Sequence, residues 1–373
     1  FPMKSKSKVA ISFGVGLAVS AAAMYAALRN VPFGELLESF ASFKVIWILP
    51  AVVVILAGFG LRAVRWGIIL RNSCSLGFWQ LFHPMMIGFM LNSILPGRVG
   101  ELARPAILRQ KEKIPFATGL ATILAERVFD ICFLLLFLAI TLSAVHIDPQ
   151  YNVGVGGYHL TGETLVGIGF GMVQLAVVLL FGVVLVSFGK TRRLIASLIF
   201  FFPRLLAWLP AVERFTEQRL CRPLVRFMEN VAEGLQLVKD PKRLGLCLLL
   251  SLVIWLLFGL SYFLLAQASA GVDGLSFLQI LAMMIIVMIF IALPSAPGFW
   301  GVWEAGGVFA LSLFGINSQQ ASGYTLISHA VQTLPVIAVG FVSAYAAGIN
   351  IRRLRQEEEV IDALEQTEGE KRD

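Results

Sequence analysis

Pro96-Gly97-Arg98-Val99-Gly100-Glu101 and Pro297-Gly298-Phe299-Trp300-Gly301-Val302-Trp303-Glu304 each interrupt a long apolar stretch of this chain. Proline and glycine break helices, and hydrocarbon cannot hydrate the backbone groups that a break leaves unpaired. Broken helices at membrane depth therefore survive only where they line protein or a polar cavity. Each string also carries a carboxylate, although a charge at the bilayer centre costs about 2.5–3.5 kcal/mol. The two strings predict the functional site, and its structural breaks are Pro96, Gly97, Gly100, Pro297, Gly298 and Gly301.

The composition indicates a protein that crosses a membrane several times. The 373 residues are 58% hydrophobic and only 14% charged, with a mean hydropathy of +0.82, whereas soluble proteins have about 25% charged residues. The net charge of +7 comes from basic clusters in loops, so it indicates topology and no nucleic-acid partner. Walker, dinucleotide-binding and HExxH motifs are absent, and the histidines lack metal-ligand spacing. We expect no cofactor, no metal and no soluble catalytic site.

Six apolar segments are long enough to span a bilayer, which takes about 20 residues, and two more are long but broken. The full segments are 9–28, 45–61, 128–145, 164–188, 244–267 and 323–349, and the broken ones are 76–115 and 277–315. If each broken region enters and leaves on one side, all basic loops fall in the cytoplasm, as the positive-inside rule requires. This predicts two re-entrant hairpins and cytoplasmic termini in a bacterial inner membrane.

The order of span, broken hairpin and span occurs twice, and the second copy is inverted. The copies are 45–61, 76–115 and 128–145, then 244–267, 277–315 and 323–349. Inverted repeats with broken helices are typical of secondary transporters, although two Pro-Gly turns can also coincide by chance. The predicted organisation is all-α, with a cytoplasmic segment 1–8 (Phe1-Pro2 being an expression remnant), a first half 9–189, an amphipathic cytoplasmic connector 190–243, a second half 244–349 and a charged cytoplasmic tail 350–373.

Arg98, Glu101 and Arg104 surround the first break. Two guanidiniums and one carboxylate make a positive site, and arginine binds phosphate oxygens with two parallel hydrogen bonds. A helix beginning near Gly100 would add its N-terminal N–H groups. We therefore expect a phosphate-bearing ligand, with Asn92 as a secondary candidate. Glu101 and Arg104 lie one helical turn apart, so a salt bridge between them that pins the hairpin is the structural alternative.

Charged residues also open the span that begins at 128. Glu126 and Asp130 lie on one helix face, where they would repel each other unless a cation separates them. Arg127 is adjacent, and folding could bring Arg98 or Arg104 near. The pattern predicts a charge network between this span and the first hairpin. A location of these residues at the cytoplasmic interface is the alternative.

The second break carries Glu304, which has no basic residue in its own segment. Its partner must be a distant side chain, a substrate cation or a proton. His329 and Gln332 lie three residues apart on one face of the last span, which suits a proton relay or, more commonly, interhelical hydrogen bonds. Trp300 and Trp303 are typical of an interfacial aromatic belt.

Arg62, Arg65 and Trp66 end the second span. Arginine can keep its charged head in water while its stem lies along apolar surface. Snorkelling to the interface is therefore the expected arrangement of these side chains.

Three ordered motifs resemble the flippase-like transmembrane family of lysylphosphatidylglycerol synthases, the membrane module of multiple peptide resistance factors. They run from Asn92 through the first break to Arg104, from Glu126 to Asp130, and from Pro297 to Glu304. Arg65-Trp66 also resembles the family's pattern, which makes Arg65 a secondary candidate. The resemblance extends over about 9–349 and implies translocation of an aminoacylated phosphatidylglycerol. We expect a stand-alone member without synthase activity, because no acyltransferase-like domain follows the last span.

The sequence thus predicts a flippase that moves a phosphate-bearing lipid between leaflets. Arg98 and Arg104 would hold the phosphate, while Glu101 and Glu304, close together at the midplane, would bind an amine or couple a proton. An intramembrane lipid-modifying enzyme with Glu101 or Asp130 as base is one alternative. The other is a non-catalytic partner of a separate lipid synthase or glycosyltransferase. The expected ligand is a membrane phospholipid or another lipid phosphate; a separate synthase and a homo-oligomer stay open as partners.

Overall fold

The computed structural model describes residues 3–29, 31–71, 74–95, 98–144, 152–155, 158–161, 169–174, 189–204, 216–222 and 240–349, and a few single positions from 167 to 229. The helices are α1 (Met3–Leu28), α2 (Phe33–Ala41), α3 (Ile48–Leu70), α4 (Phe78–Ile94), α5 (Gly100–Glu112), α6 (Phe116–Ala144), α7 (Gly189–Arg204), α8 (Pro241–Ala268), α9 (Phe277–Phe290), α10 (Val302–Ser312) and α11 (Ser318–Ala346). Short 3-10 turns precede α3 (Val45–Trp47) and α10 (Pro297–Phe299), and a π turn spans Glu217–Cys221.

One antiparallel pair of strands, β1 (Asn152–Val155) and β2 (Tyr158–Thr161), is the exception to the predicted all-α architecture in the described residues. The amphipathic helix α7 lies in the expected connector. Most of the expected span 164–188 and the whole expected tail 350–373 fall outside the described residues.

Three stretches are long and apolar enough to cross a membrane: Val45–Leu70, Pro241–Ala268 and Ser318–Ala346. A fourth is added if Gly14–Leu28 and Phe33–Ala41, which meet at a bend of 80°, count as one broken span. A chain with several such helices is a multi-pass membrane protein. The first of them continues well beyond the predicted end at residue 61, because the arginines in its last turns are buried rather than directed to water.

Both regions predicted to be broken form pairs of short helices. In the first, α4 and α5 run antiparallel: Gly88 packs against Gly100 and Arg104, and the Gln80 amide donates to Oε2 of Glu112 at 2.9 Å. In the second, Phe290 of α9 packs against Gly306 of α10. Each helix is shorter than the roughly 20 residues that a complete crossing needs.

The two breaks use left-handed backbone. In the first, Pro96 and Gly97 lie outside the described residues, Arg98 has a φ of 57°, and α5 begins at Gly100. In the second, Gly298 and Gly301 have φ values of 73° and 90°. Residues other than glycine rarely adopt these angles, so glycine at both positions permits the turn between α9 and α10.

Helices from the two parts of the chain pack against each other. α3 and α8 are antiparallel, with Gly58 beside Phe258 and the Lys44 N–H donating to the Ala268 carbonyl at 3.0 Å. α4 packs on α11, where Gly340 meets Met90, and α9 packs on α6. The side chains between these helices form one large apolar core.

The first helix, α1, packs against the second break. The Ala296 N–H donates to Oγ of Ser20 at 2.7 Å, and a Cβ added at Gly301 would overlap the Ser20 carbonyl. A close approach of this kind needs glycine at position 301. α1 therefore belongs to the packing of the second hairpin.

Candidate functional site

Asp130 on α6 lies among three guanidiniums. Its Oδ1 is 2.9 Å from Nη2 of Arg65, and its Oδ2 is 3.2 Å from Nη1 of Arg62 and 3.4 Å from Nη1 of Arg127. Arg65 and Asp130 are almost completely buried, at 0% and 6% exposure. A carboxylate with three cationic neighbours stays charged in such a site and fixes their positions.

Glu126, one turn before Asp130, extends this cluster to the first hairpin. Its Oε2 accepts a hydrogen bond from Nη2 of Arg104 at 2.6 Å, and its Oε1 lies 3.9 Å from Nη2 of Arg65. The Arg104 guanidinium also lies 4.2 Å from the ring centroid of Trp66, a cation–π contact. Arg65 in addition donates to Oγ of Ser251 on α8 at 2.7 Å. The cluster thus joins four helices.

One expectation and one structural alternative for these residues are wrong. Arg62, Arg65 and Trp66 do not snorkel to the interface, because the α6 carboxylates neutralise both guanidiniums inside the protein. Glu101 and Arg104 do not pair with each other. Arg104 turns towards Glu126, and Glu101 lies 3.8 Å from Nε of Arg127.

One signal in the sequence could have revealed Arg62 and Arg65. They lie three residues apart on one face of α3, and Glu126 and Asp130 lie four apart on one face of α6. When two apolar helices pack with a basic face of one against an acidic face of the other, the ion pairs offset the desolvation cost of burying the charges.

We call the seven charged residues of this cluster the arginine network: Arg62, Arg65, Arg104, Arg127, Glu101, Glu126 and Asp130. Four guanidiniums and three carboxylates leave one net positive charge. The Arg127 and Glu101 side chains are 33% and 30% exposed, while those of the other five are exposed by 10% or less. Nε of each of the four arginines is buried without a hydrogen-bond partner in the part of the chain that the structure describes. The network is therefore positive, offers donors and is open at one edge.

Arg98 lies outside the network. It lies where the end of α4 and the first break contact residues 291–299, as at Ser93 and Gly298, and we call this contact the seam. Its Nη2 donates to the carbonyl of Ile291 at 2.9 Å, and its guanidinium lies 5.8 Å from the ring centroid of Phe299. The side chain is otherwise exposed. Nearby on α4, Oδ1 of Asn92 is buried and has no hydrogen-bond partner among the described residues. The first break thus contacts the second through an arginine that solvent or lipid can reach.

Glu304 at the start of α10 has a distant partner, His329 of α11. Oε1 of Glu304 lies 2.6 Å from Nδ1 of His329, and Oε2 accepts a hydrogen bond from the Gly301 N–H at 2.6 Å. Nε2 of His329 lies 2.9 Å from the Gly298 carbonyl. Both side chains are completely buried. The pair therefore connects the last helix to both sides of the second break.

Two tryptophans cover the imidazole of His329. The Trp303 ring is stacked on it at 4.3 Å with an interplanar angle of 3°, and the Trp300 ring lies at 4.1 Å. Trp303 is buried and therefore does not belong to an interfacial belt. Gln332 makes an interhelical hydrogen bond, from Nε2 to Oγ of Ser261 at 2.7 Å. The carboxylates of the two breaks have separate partners, Arg127 for Glu101 and His329 for Glu304.

A family model and one curated relative match this chain. The family model described as the lysylphosphatidylglycerol synthase TM region matches residues 13–340. Glycosyltransferase AglD of Haloferax volcanii is 24% identical over 331 residues, which cover 82% of this chain and 49% of that protein. The chain thus spans about half the length of this curated relative. No solved structure matches the chain. Because the family model covers both breaks and the whole arginine network, the chain belongs to the lysylphosphatidylglycerol synthase transmembrane-region family.

Proposed function

We propose that this protein moves a phosphate-bearing lipid between the leaflets of a bacterial inner membrane and that the arginine network recognises the headgroup. The observation that carries the proposal is the single net positive charge of a buried network that opens only at Arg127 and Glu101. A phosphodiester has one negative charge and would neutralise it. The unpaired arginine Nε–H groups are donors suited to its oxygens.

The headgroup would enter along the seam between the two breaks. Arg98 is exposed there and would meet the phosphate first, and Arg127 would receive it at the open edge of the network. Arg104 is held by Glu126 and would join the contact only when that pair opens. Glu101, beside Arg127, would accept a hydrogen bond from the amine of an aminoacylated headgroup. The acyl chains would stay in hydrocarbon.

The packing of the helices supports an inverted repeat as the framework for this movement. α3 packs on its counterpart α8, and the contact of α4 with α11 has its counterpart in the contact of α9 with α6. A two-fold axis in the membrane plane relates helices in this way. We infer six full spans and two re-entrant hairpins whose breaks meet, so that rocking of one half against the other would expose the seam to either leaflet.

This topology predicts opposite labelling of two introduced cysteines. Lys111 at the end of α5 and Gly274 between α8 and α9 are both exposed, and nothing lies within 4 Å of a Cβ at Gly274. With the native cysteines Cys74, Cys132, Cys221 and Cys247 replaced by alanine, a membrane-impermeant maleimide should label Lys111→Cys only from the cytoplasm and Gly274→Cys only from outside. Labelling of position 111 from outside would mean that the first broken region crosses the membrane completely and is not a re-entrant hairpin.

The headgroup site is tested by substitution of Arg127 in reconstituted vesicles. Loss of a hydrogen bond to a charged group costs about 1.5–3 kcal/mol, so Arg127→Ala should slow translocation of labelled phosphatidylglycerol roughly 10-fold to 150-fold. Arg127→Lys should recover only part of the rate, because a point charge replaces a planar fork. Arg109→Ala is the matched control, since Arg109 is exposed near the end of α5 and has no ion-pair partner among the described residues.

Two outcomes would contradict this function. If Arg127→Ala translocates lipid at the wild-type rate, the arginine network is not part of the lipid path. Mass spectrometry of the lipid after the assay distinguishes transport from the enzymatic alternative. Unchanged lipid in the other leaflet supports transport, whereas a modified headgroup supports lipid-modifying chemistry.

A role as the membrane module of a glycosyltransferase is the second candidate. It is favoured by the name of the Haloferax volcanii relative, about half of whose length this chain spans. In that role the chain would hold a lipid phosphate for a transferase instead of moving it. Arg127→Ala would then reduce binding of the lipid to the purified protein, and neither the wild type nor the variant would translocate lipid in vesicles.

A further inference from the structure

The hydrogen bonds of His329 fix the number of protons that it shares with Glu304. The Gly298 carbonyl can only accept, so Nε2 of His329 carries a hydrogen. The other ring nitrogen lies 2.6 Å from Oε1 of Glu304, and two bare lone pairs at that distance would repel each other. One more proton therefore lies between them, on the imidazole or on the carboxyl group. In either arrangement the pair is neutral.

The bonds of this neutral pair close the second break. One end of it accepts from the Gly301 N–H and the other donates to the Gly298 carbonyl, so it holds the turn from both sides. Without the shared proton, a negative charge would remain in a completely buried site, and the contact between the carboxylate and the imidazole would become repulsive. A buried unpaired charge is far costlier than the loss of these hydrogen bonds.

Among the described residues, Glu304 and His329 form an ion pair only with each other. The titratable side chains packed towards it are Tyr262 of α8 and Tyr324 of α11. α9, α10 and residues 14–28 of α1 contribute no other charged side chain, and Arg98 is directed to Ile291 and Phe299. Buried Oη of Tyr262 has no hydrogen-bond partner among the described residues, nor has Nε1 of Trp303. Both atoms lie on rings of the stack over the imidazole, since Trp303 stacks on His329 and Tyr262 stacks on Trp303.

We propose that Glu304 and His329 form a proton-binding site that latches the second break, and that release of this proton to water frees the loop between α9 and α10. The balance is simple: the pair loses one proton, water accepts it, and the pair becomes singly negative until it is reprotonated. In the context of the proposed function, on which this consequence rests, one proton would be bound and released as the seam closes and opens.

Hydrogen–deuterium exchange of the loop tests the latch without any transport assay. Protection of residues 291–301, normalised to intrinsic exchange rates, should be measured in nanodiscs from about pH 5 to about pH 10. In the wild type, protection should fall about tenfold or more as pH rises. Glu304→Gln should stay protected throughout, because its amide can accept from Gly301 and donate to Nδ1 of His329 without an exchangeable charge.

Two further variants define the limits. Glu304→Ala should be unprotected at every pH, because it removes the bond to the Gly301 N–H and the contact that holds His329 in position to donate to Gly298. Ser328→Ala deletes only an intrahelical hydrogen bond next to His329 and should follow the wild-type profile. A flat wild-type profile, or a Glu304→Gln profile that falls like the wild type, would overturn the proposal.

The vesicle assay separates this proposal from the proposed function. If no lipid moves, the proposed function fails while the exchange profiles still decide on the latch. If lipid moves equally fast and with the same pH dependence in the wild type and in Glu304→Gln, transport stands and its coupling to this proton is refuted.

Discussion

Asp130→Ala is expected to prevent stable folding. The carboxylate neutralises Arg62, Arg65 and Arg127, and it is 6% exposed. Removing one partner of a buried ion pair costs about 3–5 kcal/mol. Here Arg62 loses its carboxylate, while Arg65 and Arg127 keep only the longer contacts with Glu126 and Glu101. Since proteins of ordinary stability have only about 5–15 kcal/mol in total, most of the margin would be lost.

Yield of monodisperse protein in mild detergent and the thermal unfolding midpoint measure this effect. Asp130→Asn should be intermediate, because the amide keeps an acceptor and loses the charge. The double variant Arg62→Ala with Asp130→Ala should recover part of the stability of Asp130→Ala. Asp273→Ala is the matched control: this carboxylate is exposed between α8 and α9, and its removal should change stability by less than about 0.5 kcal/mol. A wild-type unfolding midpoint for Asp130→Ala would show that the arginines are neutralised in another way.

Gly100→Ala should open the first hairpin. A Cβ at this position would overlap the Gly88 carbonyl and lie 2.7 Å from Oδ1 of Asn92. The obstructing carbonyl belongs to the backbone of α4, so a side-chain rotation cannot relieve the clash. Overpacking of this kind costs about 1–3 kcal/mol or more, and the displaced α5 carries Arg104 away from Glu126. We expect a lower unfolding midpoint and loss of lipid translocation together.

Gly245→Ala is the control for the substitution itself. Gly245 lies in α8 with nothing within 4 Å of an added Cβ, and alanine is favoured over glycine in a helix by about 0.8–1.0 kcal/mol. This variant should be as stable as the wild type or slightly more stable. Equal destabilisation by both substitutions would mean that the clash at Gly100 is relieved at no cost.

The sequence predicts the hairpins well because their causes are local. The helices that follow the breaks begin at the expected glycines: α5 begins at Gly100, and α10 begins at Val302, directly after Gly301. Backbone preferences of single residues decide these boundaries. The same residues do not reveal which helices lie opposite each other.

The partners of the charged side chains depend on that tertiary arrangement. Periodicity puts Arg62 and Arg65 on one face of α3, but Asp130 lies far along the chain. Glu304 was expected to need a distant partner, and only the packing of α10 on α11 identifies it as His329. For Arg104, the sequence left open a salt bridge with Glu101 or a network with the span that begins at 128, and the packing of α5 on α6 selects Glu126. Local spacing therefore gives the candidates, and the fold selects among them.

The pairing of α3 with α6 has a consequence for how the chain is made. α3 leaves the ribosome first, and 65 residues separate Arg65 from Asp130. At about 5–20 residues per second, α3 waits roughly 3–13 s for its counter-charge. During that time the two guanidiniums near the end of α3 would lack their carboxylates, and a charge in hydrocarbon costs up to about 2.5–3.5 kcal/mol. α3 should therefore remain at the translocon and enter lipid only together with α6, so that ion pairs, and not the order of synthesis, set the sequence of insertion.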